Sequence, residues 1–298
     1  MSDKILFRGA MTALVTPFDR SGKVHEGHLK RMVDFQIAGG IDAIVPCGTT
    51  GEASTLDYEE HFRVCELVVE FVNRRAKVII GGGSNNTHRA IELTQFSKRI
   101  GADAVLSVGP YYNKPTQEGH YQHFKAIAES ADIPIIIYNI PGRTGVNIEP
   151  DTLLRLAEIS NIAGVKEASG NLDQMMLIIR DRPKNFCVLS GDDSLSLPLI
   201  AVGGDGCISV LSNEMPGEFT RMIHAALEDR WEEARQIHYW TYALMRANFL
   251  ETNPVPVKGA LAMMGLIEEV YRLPLVPMQA KNREKLEGIL RELKLIPS

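Results

Sequence analysis

Residues 77–110 read KVIIGGGSNNTHRAIELTQFSKRIGADAVLSVGP. The stretch opens on a short β-branched run, KVIIGGG, and closes on a second, AVLSVGP. Between them, THRAIELTQFSKRI repeats its apolar positions at three and four, the period of an amphipathic helix. Two continuous apolar strands joined by a helix make one crossover unit. Such strands lie parallel and are covered by helices on their faces. GGGSNN, residues 81–86, reads as a tight turn and an interface loop.

Working outward, the same unit recurs in both directions. AMTALVTP near Ala13 and AIVPCG near Ile44 precede it; PIIIYNI near Ile136, IAGVKEAS near Val165, FCVLSGD near Val188 and GCISV near Ile208 follow, for eight strands in all. HEGHLKRMVDFQIAG, TLDYEEHFRVCELVVEFV and EGHYQHFKAIAES carry helical periodicity between them. Repeats of roughly 20 to 35 residues fit a closed (β/α)₈ TIM barrel better than an open doubly wound sheet. Past Val210 more chain remains than one closing helix needs. EFTRMIHAALEDRWEEARQIHYWTYALMRANF, VPVKGALAMMGL and NREKLEGILRELKLI all read as helical. The expected organisation is a barrel over residues 1–233 with a C-terminal helical extension, 234–298, packed on it.

Composition narrows the functional classes. Lys and Arg number 32 against 37 Asp and Glu, the wrong balance for sequence-independent binding to a phosphate backbone. No apolar run approaches the roughly 20 residues of a bilayer span, and MSDKILFRGAM has no segment of signal-peptide length. A cytoplasmic protein without membrane or nucleic-acid partners is expected. Cys47, Cys65, Cys187 and Cys207 show no CxxC pair and are expected buried and reduced.

In a barrel of this kind the reactive groups stand at the carboxyl ends of the strands. Those ends here read CGTTGE, GPYYNKP, Tyr138 followed by Arg143, Lys166, and Gly191 with Asp192. Lys166 interrupts an apolar strand, and alternation sends Glu167 to the other side. Alone it would read as a snorkelling or salt-bridged lysine. Beside Tyr138 in a dry barrel mouth, a neutral amine able to form a Schiff base is the sharper reading. Tyr138, otherwise an ordinary strand aromatic, would then shuttle protons. Thr49 and Thr50 are turn residues by default, or a relay hydroxyl within a glycine loop that offers N–H groups to a carboxylate. The planar fork of Arg143 matches a carboxylate substrate.

GAMTALVTPF, CGTTGEASTL, GPYYNKPTQEGHYQHF, YNIPGRTG, GVKEASGNLDQ, LSGDD and NPVPVK follow one another along nearly the whole chain. In that order they resemble the 4-hydroxy-tetrahydrodipicolinate (dihydrodipicolinate) synthase family of the class I pyruvate-dependent lyases, the superfamily of N-acetylneuraminate lyase. The resemblance implies condensation of pyruvate with L-aspartate 4-semialdehyde, in diaminopimelate and lysine biosynthesis. It implies an imine on Lys166, proton transfer by Tyr138, Thr49 and Tyr112, and a pocket including Thr50, Gly191 and Ile208. Arg143 would receive the carboxylate of the semialdehyde. Tyr112 would cross into a neighbouring subunit, as in a homotetrameric dimer of dimers. No cofactor or metal is implied, since the protonated imine is itself the electron sink. His25 with His28 and His120 with His123 read as helix-surface residues, being too few for a zinc site.

The resemblance also implies an allosteric lysine pocket at Ser54, Tyr58, His61, Asn85, Arg89 and Tyr111. Arg89 stands where such pockets commonly carry a carboxylate, and Ala53 where they carry serine. A cation there repels an ammonium ligand, so lysine inhibition is expected to be weak or absent. N-acetylneuraminate lyase, a 2-keto-3-deoxy sugar-acid aldolase and a noncatalytic pyruvate-binding barrel are the alternatives. Arg143 within PGRTG argues against the sugar-acid enzymes, and the Lys166–Tyr138–Thr49–Tyr112 set against a mere binder.

Overall fold

The apolar runs form the strands read from them, and each pairs in parallel with its chain neighbours. In the computed structural model, which describes residues 5–297, these are β1 (Gly9–Ala13), β2 (Ala43–Val45), β3 (Lys77–Gly81), β4 (Ala104–Val108), β5 (Ile135–Asn139), β6 (Ile162–Glu167), β7 (Cys187–Ser190) and β8 (Gly206–Ser209). β8 pairs with β1, so the eight strands close into a barrel.

Alternation splits the apolar side chains into two populations. Met11, Ala43, Val45, Ile79, Leu106, Ile136, Leu189 and Ile208 fill the barrel interior. Ile44, Ile80, Ile135, Ile137, Val165 and Val188 face the helices. The helical layer comprises α1 (Glu26–Ala38), α2 (Tyr58–Val72), α3 (Thr87–Arg99), α4 (Gln117–Ser130), the single turn α5 (Pro141–Thr144), α6 (Pro150–Ala157), α7 (Leu172–Asp181), α8 (Ser196–Ala201) and α9 (Pro216–Leu227). Local chemistry sets their starts. Asp57 and Glu60 form a capping box at α2, and the Asn86 and Thr116 side chains accept from the first turns of α3 and α4.

One strand breaks strict alternation, and the site depends on it. Ile135 of β5 pairs with Ile162 of β6, but Ile136 pairs with Gly164, so β6 carries one extra residue. Ala163 faces the interior and Val165 the helices. Unbroken alternation from Ala163 would turn Val165 and Glu167 inward and Lys166 outward. The bulge reverses that phase, leaving Lys166 on the cleft lining. Glu167 lies outside, accepting from the Asn139 and Gln174 amides at 3.0 Å each. Gly164 is required beside β7: a Cβ there would lie 2.1 Å from Cys187 Sγ and 2.5 Å from its carbonyl oxygen.

The extension consists of α10 (Trp231–Ala247), α11 (Val255–Met263) and α12 (Ala280–Glu292). The long helical stretch beginning at Glu218 is two helices, broken at Asp229 with φ 60°. α9 closes on β1, and α10 folds back against α9 and α12. Ala234 thus lies inside α10 rather than ahead of it. A buried ion pair between Lys258 of α11 and Glu52, and the Arg272–Glu60 pair at 2.6 Å, pin the extension to the loop after β2 and to α2. Among the described residues, no helix is long and apolar enough to cross a membrane.

Candidate active site

Parallel register places Tyr138 of β5 directly beside Lys166 of β6. Lys166 is 5% exposed, and its Nζ lies 4.3 Å from the Tyr138 ring centroid. Burial leaves the side-chain nitrogen little contact with water, so the ring face and the cleft are its main surroundings. Gly191, at the end of β7, opens the space for it: a Cβ there would stand 3.0 Å from Lys166 Cε and 2.7 Å from the Ala168 Cβ.

The cleft over this pair is narrow, with a cavity volume of about 40 Å³. Its walls bring together Gly48, Thr49 and Thr50 from the loop after β2, Tyr138, Arg143, Lys166 and Gly191. Thr50 is buried and Thr49 half-buried, whereas Arg143 is exposed at the rim on α5. Two expected residues stand apart from it. Ile208 is 1% exposed within the interior packing, and Val210, two residues on, takes the place at the lining. Tyr112 is 90% exposed on the loop after β4, held at φ 72°, a left-handed conformation costly for a bulky side chain. Within one chain it projects to solvent.

The sequence reading missed Asn253 and Phe249, both on the lining. Asn253 connects two of the expected groups: its Nδ2 donates to Thr50 Oγ1 at 2.9 Å, and its carbonyl accepts from Arg143 Nη2 at 3.1 Å. The NPVPVK motif was the available signal, but nothing local in it shows that the extension reaches the barrel mouth. The threonine loop is held from both sides. Thr16 Oγ1 donates to Gly51 O at 2.7 Å, and Glu52, at φ 52°, sends its carboxylate into the buried pair with Lys258. Lys258 Nζ also lies 4.3 Å from the Phe18 ring centroid.

The histidines of α4 correct the surface reading. His120 and His123 are 0% and 6% exposed, because residues 120, 123, 124, 127 and 128 form the inward stripe of that helix. His123 Nδ1 meets Thr87 Oγ1 at 2.9 Å, and burial, with the neighbouring His120, lowers its pKa to about 4. His25 caps α1, its ring stacked at 3.8 Å on His28. The residues expected at a lysine pocket gather beside α2 and α3. Arg89 stacks over Tyr58 at 3.7 Å, Asn85 Nδ2 donates to the Tyr111 carbonyl at 3.2 Å, and His61 is buried. Ala53 and Ser54 lie in the short turn preceding α2.

Comparison with known proteins adds an independent line. Residues 6–293 match the model of the Dihydrodipicolinate synthetase family. The chain is 54% identical over 286 residues to a 4-hydroxy-tetrahydrodipicolinate synthase of Koribacter versatilis, covering 96% of this chain and 95% of that one. It is 52% identical to the namesake protein of Geotalea daltonii, covering 98% and 100%. The crystal structure of dihydrodipicolinate synthase from Aquifex aeolicus superposes with a TM-score of 0.96 at 48% identity, over 98% of this chain and all of that one.

Proposed function

This chain belongs to the dihydrodipicolinate synthetase family, and from that premise we propose how its residues divide the work of the reaction. The protein is a Schiff-base-forming lyase that condenses pyruvate with L-aspartate 4-semialdehyde to give 4-hydroxy-tetrahydrodipicolinate in the lysine and diaminopimelate pathway. The observation that carries the assignment of roles is the buried amine of Lys166 over the Tyr138 ring, in a cleft shared with Thr50 and Arg143.

Lys166 attacks the keto carbon of pyruvate, and the carbinolamine loses water to give a protonated imine. Tyr138 carries protons through these steps with the Thr49 hydroxyl, and Tyr112 of a neighbouring subunit completes the relay. Loss of a methyl proton gives the enamine, whose carbon attacks the aldehyde. The amine of the adduct then displaces Lys166 and closes the ring. Thr50, oriented by Asn253, receives the pyruvate carboxylate. Arg143, tethered to the Asn253 carbonyl, receives the carboxylate of the semialdehyde with its remaining N–H groups. The exposed, strained Tyr112 supports contact with a neighbouring subunit, and the family resemblance carries the inference of a dimer of dimers in the cytoplasm.

The test is pyruvate consumption with L-aspartate 4-semialdehyde beside N-acetylmannosamine and glyceraldehyde. Strong preference for the semialdehyde is expected. Preference for a sugar aldehyde would keep Lys166 as the imine-forming amine and exclude Arg143 as the receptor of the semialdehyde carboxylate.

A further inference from the structure

Away from the cleft, three ligand-type side chains converge behind the loop after β2. Cys47 follows β2, and His61 and Cys65 lie four residues apart on α2, which puts them on one face of that helix. All three are buried, at 2%, 5% and 0% exposure. The two Sγ atoms are 3.7 Å apart, and the sulfurs and a ring nitrogen of His61 lie within 4.8 Å of one another.

Packed thiols behaving as small hydrophobes would explain two of the three groups. They do not explain the imidazole. The His61 ring nitrogen Nε2 is buried with no hydrogen-bond partner. A buried polar atom without a partner is costly, and a metal ion is one group that would satisfy it.

We propose that Cys47, His61 and Cys65 form a binding site for a thiophilic cation, with Zn(II) the charge-matched occupant. Two thiolates at about 2.3 Å from a tetrahedral centre stand about 3.8 Å apart, close to the separation in this structure. The imidazole needs to close by about an ångström to reach the same centre. On binding, both thiols release their protons to solvent; two thiolates then cancel the charge of Zn(II), leaving a neutral complex that a dry interior tolerates. Sulfur and imidazole donors select such an ion over Mg(II) or Ca(II).

The position gives the site a consequence. Cys47 sits at φ 53° and directly precedes Gly48, Thr49 and Thr50 of the cleft, so a cation there braces that loop from behind. Cation binding at these three residues does not depend on the reaction assigned to the cleft.

The test uses the full-length protein, reduced with a phosphine and equilibrated with Zn(II) or Co(II) before removal of free metal. About one equivalent retained per chain, with thiolate-to-Co(II) charge-transfer bands, is expected, and Cys65→Val and His61→Gln should lose both. No retention, or retention unchanged in both variants, would overturn it. Should the variants fold poorly, alkylation mapped by mass spectrometry on the wild-type chain decides. Zn(II) should slow the alkylation of Cys47 and Cys65, which proceeds through opening of the buried sites, and leave the rates at Cys187 and Cys207 unchanged; rates at Cys47 and Cys65 unaltered by Zn(II) would overturn the site.

Discussion

Lys166 and Arg143 lie on opposite sides of one boundary, buried floor against exposed rim, and their substitutions should fail differently. Lys166→Ala removes the amine proposed to form the imine. Turnover should vanish, and borohydride should no longer trap pyruvate on the chain, with the circular dichroism of the fold retained. Persistent turnover would exclude the imine route. Arg143→Ala should raise KM for the semialdehyde and cut its kcat/KM by about 10- to 100-fold, the scale of charge-assisted hydrogen bonds, with pyruvate trapping intact. Equal loss for both substrates would instead mean a collapsed cleft. The type and order of these residues were legible in the sequence, because a lysine inside an apolar strand and an arginine after PG are local signals. Asn253 was not: its role exists only where the extension meets Thr50 and Arg143.

At the scale of elements, the bulge in β6 and the loop after β2 do the positioning. Gly164→Ala puts a Cβ 2.5 Å from the Cys187 carbonyl, so β6 and β7 must part or the bulge must move. We expect a loss of at least about 1 to 3 kcal/mol, as for overpacking. Pyruvate trapping by Lys166 should fall further than this destabilisation accounts for, and urea titration beside borohydride trapping reads the two effects separately. The Glu52–Lys258 pair gives a second case. Glu52→Gln strands a buried ammonium and should cost about 3 to 5 kcal/mol in denaturant titration, whereas replacing both partners with apolar residues should recover much of it. A near-zero effect of Glu52→Gln would show that this pair does not hold the extension in place. Strand and helix identities followed from periodicity. The bulge did not, since IAGVKE reads the same with or without an extra residue, and its phase is set by pairing with β5.

For the whole molecule, the exposed Tyr112 and the buried His123 give two readouts. If Tyr112 serves a neighbouring site, Tyr112→Phe should lower kcat at unchanged sedimentation. Hybrids of Tyr112→Phe with Lys166→Ala should then regain activity, because a site with an intact lysine can borrow the partner's tyrosine. Hybrids as inactive as their parents would place Tyr112 outside the reaction. His123, held by burial to about 4 against roughly 6.5 in the unfolded chain, binds fewer protons folded than unfolded between those values. Stability should therefore fall as pH drops from about 6.5 toward 4. Asp193 and Glu214, raised by burial, act oppositely, costing stability as pH rises above the ordinary carboxylate range. His123→Gln should make the acid limb of the denaturation midpoint shallower, with the other buried histidines supplying the rest; an unchanged limb would assign it elsewhere.

By itself the sequence determined the eight-fold alternation, the barrel and the groups at its mouth, because periodicity and strand-end chemistry are properties of a few consecutive residues. Tertiary structure alone decided the bulge that keeps Lys166 inward after an inward Ala163, and that Asn253 joins Thr50 to Arg143. It also decided that Cys47, His61 and Cys65 meet, and that the α4 histidines are buried. Each of these depends on contacts between segments that strand pairing and helix packing bring together, and neither pairing phase nor facing partner is encoded in any one of the segments.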